Sequence, residues 1–155
     1  MPKASEPSPT HARRLLLDVN VWVALFDDAH IHNPQALTLV QRPGIQIASC
    51  PLVENGVLRV MNLPGYSGRG PAGFEAVRGK LKLVCVELDH QFWPDDLSLR
   101  DDTVVNWGRV LGHNQITDAY LLALAVAHQG CLASFDHRIA VSVVQGATPN
   151  HLVLL

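Results

Sequence analysis

The chain has 155 residues, enough for one domain that buries roughly 68–70% of its unfolded surface. With 48% hydrophobic and 17% charged residues it is not an intrinsically disordered chain, and no run approaches ~18 uninterrupted apolar residues, so no membrane span is expected. The formal net charge of −2 carries none of the basic footprint usual in nucleic-acid binders.

Residues 1–13, rich in Pro and Ser from Met1 to Thr10, read as a flexible N-terminal tail, and residues 14–155 as a single domain. The tail is no signal peptide, because the apolar segment behind Arg13-Arg14 is interrupted by Asp18 and Asn20. Arg14 to Leu17 predicts a first strand, and Val19 to Phe26 a helix ended by Asp27-Asp28-Ala29-His30. A second helix starts at Asn33-Pro34 and is broken by Gln41-Arg42-Pro43-Gly44. Ile45 to Ala48 predicts a short strand, followed by a helix capped by Ser49 or Cys50 with Pro51 near its start. Asn62 to Pro71, with three glycines and two prolines, is a loop. From Ala72 onward Phe74, Val77, Leu81, Val84, Cys85 and Leu88 follow helical spacing. Gln91 to Trp93 predicts a strand, Asp102 to Trp107 a short helix, and Thr117 to His128 a helix rich in Ala and Leu that ends at Gly130. Cys131 to Ser134 and Leu152 to Leu154 supply the last strands. The alternation of strand and helix predicts an α/β fold with a mainly parallel central sheet. Cys50, Cys85 and Cys131 lie in apolar runs without a C-x-x-C, as reduced thiols of a cytoplasmic protein would.

Four acids occupy equivalent places in this pattern. Asp18 and Asp136 each follow a strand, and Glu54 and Asp118 each fall in the first turn of a helix. In a sheet-and-helix protein, strand ends and helix starts meet at one edge of the sheet. A carboxylate beside buried apolar residues is costly unless compensated, and several together raise one another's pKa. A helix N-terminus offsets only about 0.3–1 kcal/mol per acid. Convergence of the four would therefore call for a hard divalent cation, Mg²⁺ or Mn²⁺. One or two such ions can hold a phosphodiester, activate a water for in-line attack and stabilise the leaving oxygen. Any one of these acids alone is more simply a helix cap.

The stretches around these acids carry a resemblance. Leu-Leu-Leu-Asp18-Val-Asn20, Cys50-Pro-Leu-Val-Glu54-Asn55-Gly56, Phe92-Trp93-Pro94-Asp95-Asp96, Ile-Thr117-Asp118-Ala-Tyr120 and Ser134-Phe135-Asp136 resemble the motifs of a PIN-domain ribonuclease of the VapC type, in the family's order and spanning nearly all of Leu15 to Leu155. The resemblance implies a three-layer α/β/α fold and Mg²⁺- or Mn²⁺-dependent endonucleolytic cleavage of RNA, with the chain acting as the toxin of a toxin–antitoxin pair. It also implies a homodimer and inhibition by a small cognate antitoxin protein that covers the acidic pocket. Asp18, Glu54, Asp118 and Asp136 match the family's acidic quartet, as metal ligands and catalytic residues. Within the quartet Asp18 and Asp118 are expected to be the principal ligands, Glu54 a ligand or a water-positioning base, and Asp136 to act partly through water. Asn20, Thr117 and Ser134 match polar positions that orient carboxylates or waters around the metal. Two features depart from the family: the length of the tail, and the segment His137 to Val141.

Other readings compete. A catalytically silent PIN-type module that binds RNA or protein would have no need of all four acids. A phosphotransferase that begins with a strand ending in Asp would want a second acid where Asn20 stands, because an amide cannot exchange a proton in that role. His30-Ile31-His32 has no third nitrogen or sulfur ligand at useful spacing, and reads as a solvated loop near RNA. Asp95-Asp96 reads as a turn and helix cap, and Trp22, Trp93 and Trp107 as core or dimer-interface residues. Arg59, Arg69, Arg78, Lys80 and Arg109 are candidates for a path along RNA phosphates.

Overall fold

The near-continuous apolar runs of the sequence become the inner strands of a parallel sheet. The computed structural model describes residues 13–155, so all of the expected tail but Arg13 lies outside the described residues. The strands are β1 (Leu15–Leu17), β2 (Gln46–Ser49), β3 (Asp89–Phe92), β4 (Cys131–Ser134) and β5 (Leu152–Leu154). They pair in parallel in the order β3-β2-β1-β4-β5. β1 and β4 are buried along their whole length, which is why they read Leu-Leu-Leu and Cys-Leu-Ala-Ser without alternation. β3 and β5, at the edges, keep exposed residues.

Among the described residues five α-helices complete the three-layer α/β/α arrangement: α1 (Val19–Phe26), α2 (Asn33–Val40), α3 (Pro51–Val60), α4 (Phe74–Glu87) and α5 (Ile116–Ala127). α5 is buried continuously from Ala119 to Ala125, so a stripe pattern would not suit it and its Ala-Leu composition does. The chain winds outward from β1 through β2 to β3, then returns to the other side of β1 with β4 and β5. The direction reverses between β1 and β4. At such a point a crevice opens beyond the carboxyl ends of the strands, and the segments that leave β1 and β4 there begin with Asp18 and Phe135-Asp136.

Two glycines set close approaches. A Cβ on Gly56, in mid-α3, would come 2.6 Å from Cγ2 of Val19, so the missing side chain lets α3 cross α1 just behind Asp18. A Cβ on Gly130 would meet the Arg14 carbonyl oxygen at 2.7 Å and the Trp93 ring at 2.7 Å. Gly130→Ala is expected to cost about 1–3 kcal/mol, read as a lower urea midpoint. Gly79→Ala, in α4 with open space around it, should be neutral or stabilise by up to about 1 kcal/mol in the same assay.

Two local expectations are corrected. The helix expected over 102–107 is absent before Trp107, where a 3₁₀ turn (Trp107–Arg109) begins: Asp101 Oδ1 accepts from the N–H and hydroxyl of Thr103, and Val105 pairs antiparallel with Val144, so side chain and backbone are both diverted from helical bonding. The strand expected at Gln91 to Trp93 sits earlier, at Asp89–Phe92, because its register is set by β2, with Trp93 leaving the strand to stack on His128 (4.5 Å, 7°). Trp22 and Trp93 belong to the core, whereas Trp107 is 45% exposed. The three thiols are free and stay protonated, burial pushing Cys50 up to about 12 and Cys85 up to about 11. Among the described residues no helix is long and apolar enough to cross a membrane.

Candidate active site

Asp18 is the N-cap of α1. Its Oδ1 accepts from the Val19 N–H at 2.7 Å, and its own N–H donates to the Ala133 carbonyl at 3.0 Å, which ties the end of β1 to β4. Its other oxygen, Oδ2, accepts from the Ser134 hydroxyl at 2.8 Å. The same Ser134 oxygen accepts from the Asp136 N–H at 3.0 Å, so one buried hydroxyl couples the first acid to the loop that carries the last. Burial raises the Asp18 pKa; the hydrogen bonds from Ser134 and Val19 oppose that rise, and the nearby Asp136 charge adds to it.

Asp118 enters from the first turn of α5. Burial pushes its carboxyl up to about 6, and the neighbouring charges of Asp18 and Asp136 push in the same direction. Three aspartates, from the ends of β1 and β4 and the start of α5, are thus near enough to oppose one another's ionisation. Asp118 and Asp136 also line a cleft of about 200 Å³, together with Gly112, Asn114, Gln115 and Arg138.

Asp136 behaves differently. Arg138 grips both of its oxygens, Nε to Oδ1 and Nη2 to Oδ2, each at 2.9 Å, and holds the carboxyl below its usual range. The sequence reading did not single out Arg138. Its signal lay in the Asp-x-Arg spacing of Asp136 and Arg138, inside the segment that departs from the family pattern.

Glu54 is turned toward the other side of the crevice. Its Oε1 accepts from the Ser49 hydroxyl at 2.8 Å, and Ser49 Oγ lies 2.7 Å from His90 Nε2. The Ser49 proton is committed to Glu54, so His90 donates through Nε2. The Glu54 charge adds to the burial that raises the Cys85 thiol and opposes the burial that lowers the His90 pKa. Of the surrounding polar positions, Ser134 is fully buried in the site, whereas Asn20 and Thr117 are exposed, Asn20 on a second cleft beside Asp136. Asp95 caps α3 from a distance, its Oδ2 accepting from the Leu52 N–H at 3.0 Å. Among the candidate basic residues, Arg78 pairs with Glu75 and Lys80 donates to the Phe26 carbonyl.

The donor set suits a hard cation. Among the described residues no three carboxylate, imidazole or thiolate groups stand in a closed metal-binding arrangement. An ion of the Mg²⁺ type, however, keeps several waters and takes only one or two carboxylates directly. Asp18 and Asp118 offer oxygens of that kind, and a cation would offset the burial that raises both and the neighbouring negative charges that add to it.

Comparison with known proteins agrees with this geometry. Residues 15–142 match the PIN domain family. The chain is 39% identical over 146 residues to ribonuclease VapC44 of Mycobacterium tuberculosis, covering 92% of this chain and 99% of that protein. In structure it is similar to VapBC2 of Rickettsia felis bound to a promoter DNA fragment (TM-score 0.53, 17% identity, 91% of this chain and 96% of that one). It is also similar to Mycobacterium tuberculosis VapC20, a toxin that cleaves the sarcin–ricin loop (TM-score 0.57, 14% identity, 84% of this chain and 98% of that one).

Proposed function

Because the chain belongs to the PIN-domain family, alongside the VapC ribonucleases, we propose that it is a metal-dependent endoribonuclease and the toxin of a toxin–antitoxin pair. The observation that supports the chemistry is the convergence of Asp18, Asp118 and Asp136 at the switch point of the sheet, where Asp118 titrates near 6. Mg²⁺ or Mn²⁺ bound there would polarise a phosphoryl oxygen and lower the pKa of a water.

The chain's own groups divide the remaining work. Asp18 and Asp118 would hold the cation, and the Ser134 hydrogen bond fixes Asp18 Oδ2 and opposes the burial that raises its pKa. Asp136, already neutralised by Arg138, acts through water and presents the guanidinium to an incoming phosphate. Glu54, held by Ser49, serves as a ligand or as the base that orients the attacking water once it rotates toward the crevice. Asn20 and Thr117, exposed at the rim, would orient waters of a bound metal. The partners are RNA, a cognate antitoxin that covers the crevice, and a second copy of the chain in a homodimer; the compartment is the cytoplasm, consistent with three free thiols.

The test is incubation of the purified protein with total RNA. Cleavage with Mg²⁺ or Mn²⁺, and none with EDTA, is expected. RNA left intact with either ion would overturn the reading, and cleavage undiminished by EDTA would overturn its metal dependence.

A further inference from the structure

A second cleft adjoins the acidic centre. Its volume is about 460 Å³, within the roughly 300–1,000 Å³ of small-ligand sites. It is lined by His30, Ile31 and His32 from the connection between α1 and α2, and by Phe135, Asp136 and Arg138 from the segment after β4. The His32 ring lies stacked on Phe135, with centroids 4.4 Å apart and planes 13° apart. The His30 ring stands 5.8 Å from that of His32, tilted by 42°. Ile31, between the histidines, is 83% exposed.

These histidines are poorly placed to hold a metal. His30 Nδ1 accepts from the His32 backbone N–H at 3.1 Å, and His32 Nδ1 lies 2.7 Å from Gln35 Oε1. No third ligand group joins them among the described residues. The cleft offers instead stacked aromatic rings beside a guanidinium. Unpaired nucleotides are recognised by that combination, because every base has a π face and every linkage a phosphate.

Resting on the ribonuclease reading above, we infer that His32, backed by Phe135 and flanked by His30, is a stacking platform for an unpaired RNA base next to the scissile phosphate. Arg138 pairs with the adjoining phosphate. RNA is favoured over a protein segment because the cleft shares Asp136 and Arg138 with the acidic centre, so a strand held at the centre has this cleft on its path. A base already paired in a duplex cannot offer its face to the platform.

The test is fluorescence anisotropy with Mg²⁺, using a short labelled single-stranded oligoribonucleotide of mixed sequence and the same strand annealed to its complement. The protein carries Asp118→Asn so that the probe stays uncut. His32→Ala should weaken single-strand binding by about tenfold or more and change duplex binding by less than about twofold, and His32→Phe should restore most of the loss. Ile31→Asp, at a position too exposed to disturb packing, should also weaken single-strand binding by adding negative charge to the cleft. Single-strand affinity unchanged in His32→Ala and Ile31→Asp would overturn the platform and leave the cleft to a protein partner. Failure of His32→Phe to restore binding would overturn it too, by showing that the ring acts through its nitrogens. Binding is read independently of cleavage, so total RNA left intact by the parent protein overturns the ribonuclease reading and not the platform.

Discussion

Asp118→Asn is expected to abolish RNA cleavage and at the same time to stabilise the fold above about pH 6. Outer-shell partners of a metal site typically cost 10–100-fold when removed, so loss of a direct ligand should reduce cleavage by at least about a hundredfold. The stability effect follows from titration. Burial and its acidic neighbours push the Asp118 carboxyl up to about 6 in the folded chain, against 3.8 for a free side chain. Between these values the folded state holds a proton that the unfolded state has released, so the acid weakens folding progressively as pH rises through the window, and fully above it. Asn is neutral throughout. Its advantage should therefore grow from about pH 4 to pH 6 and then level off. Asp118 is half-buried, and after solvent screening the effect is about 1–2 kcal/mol, or roughly 2–6 °C in melting temperature. Added Mn²⁺ should raise the melting temperature of the parent and not that of the variant. A variant that melts with the parent at every pH would show that neither burial nor the charges of Asp18 and Asp136 oppose ionisation of Asp118.

The sequence carries some of these positions openly and hides others. Asp18, Asp118 and Asp136 were readable because strand ends and helix starts converge by topology, whatever the side chains do. The direction of Glu54 was not. It depends on a rotamer chosen by Ser49 and His90, residues that lie 5 and 36 positions away from it. The grip of Arg138 on Asp136 was visible only as spacing, and spacing does not tell whether an exposed arginine folds back or reaches out. The register of β3 and the irregular path of residues 102–107 escaped for a common reason. Both are set by distant backbone partners, β2 in one case and Val144 in the other, and no local propensity reports those.

The structure also separates two residues that the sequence treated alike. Thr117 and Ser134 both adjoin acids in the sequence; Thr117 is exposed at the start of α5, while Ser134 is fully buried between two of them. Ser134→Ala removes the donor to Asp18 Oδ2 and the acceptor of the Asp136 N–H together. One buried oxygen and one part-buried N–H are then left short of a partner, at about 1–3 kcal/mol for a fully buried orphan and less for the other. The larger effect is expected in activity. The Ser134 hydrogen bond opposes the burial that raises the Asp18 pKa, so without it Asp18 holds its proton to higher pH and competes poorly for a cation. Cleavage near pH 7 should fall by about 10–100-fold, with partial recovery as pH is raised, and Thr117→Ala should cost much less. The pH profile decides the cause, because a merely loosened fold would lose activity at every pH, whereas a carboxylate deprived of its donor regains its charge, and its ligand strength, as protons become scarce.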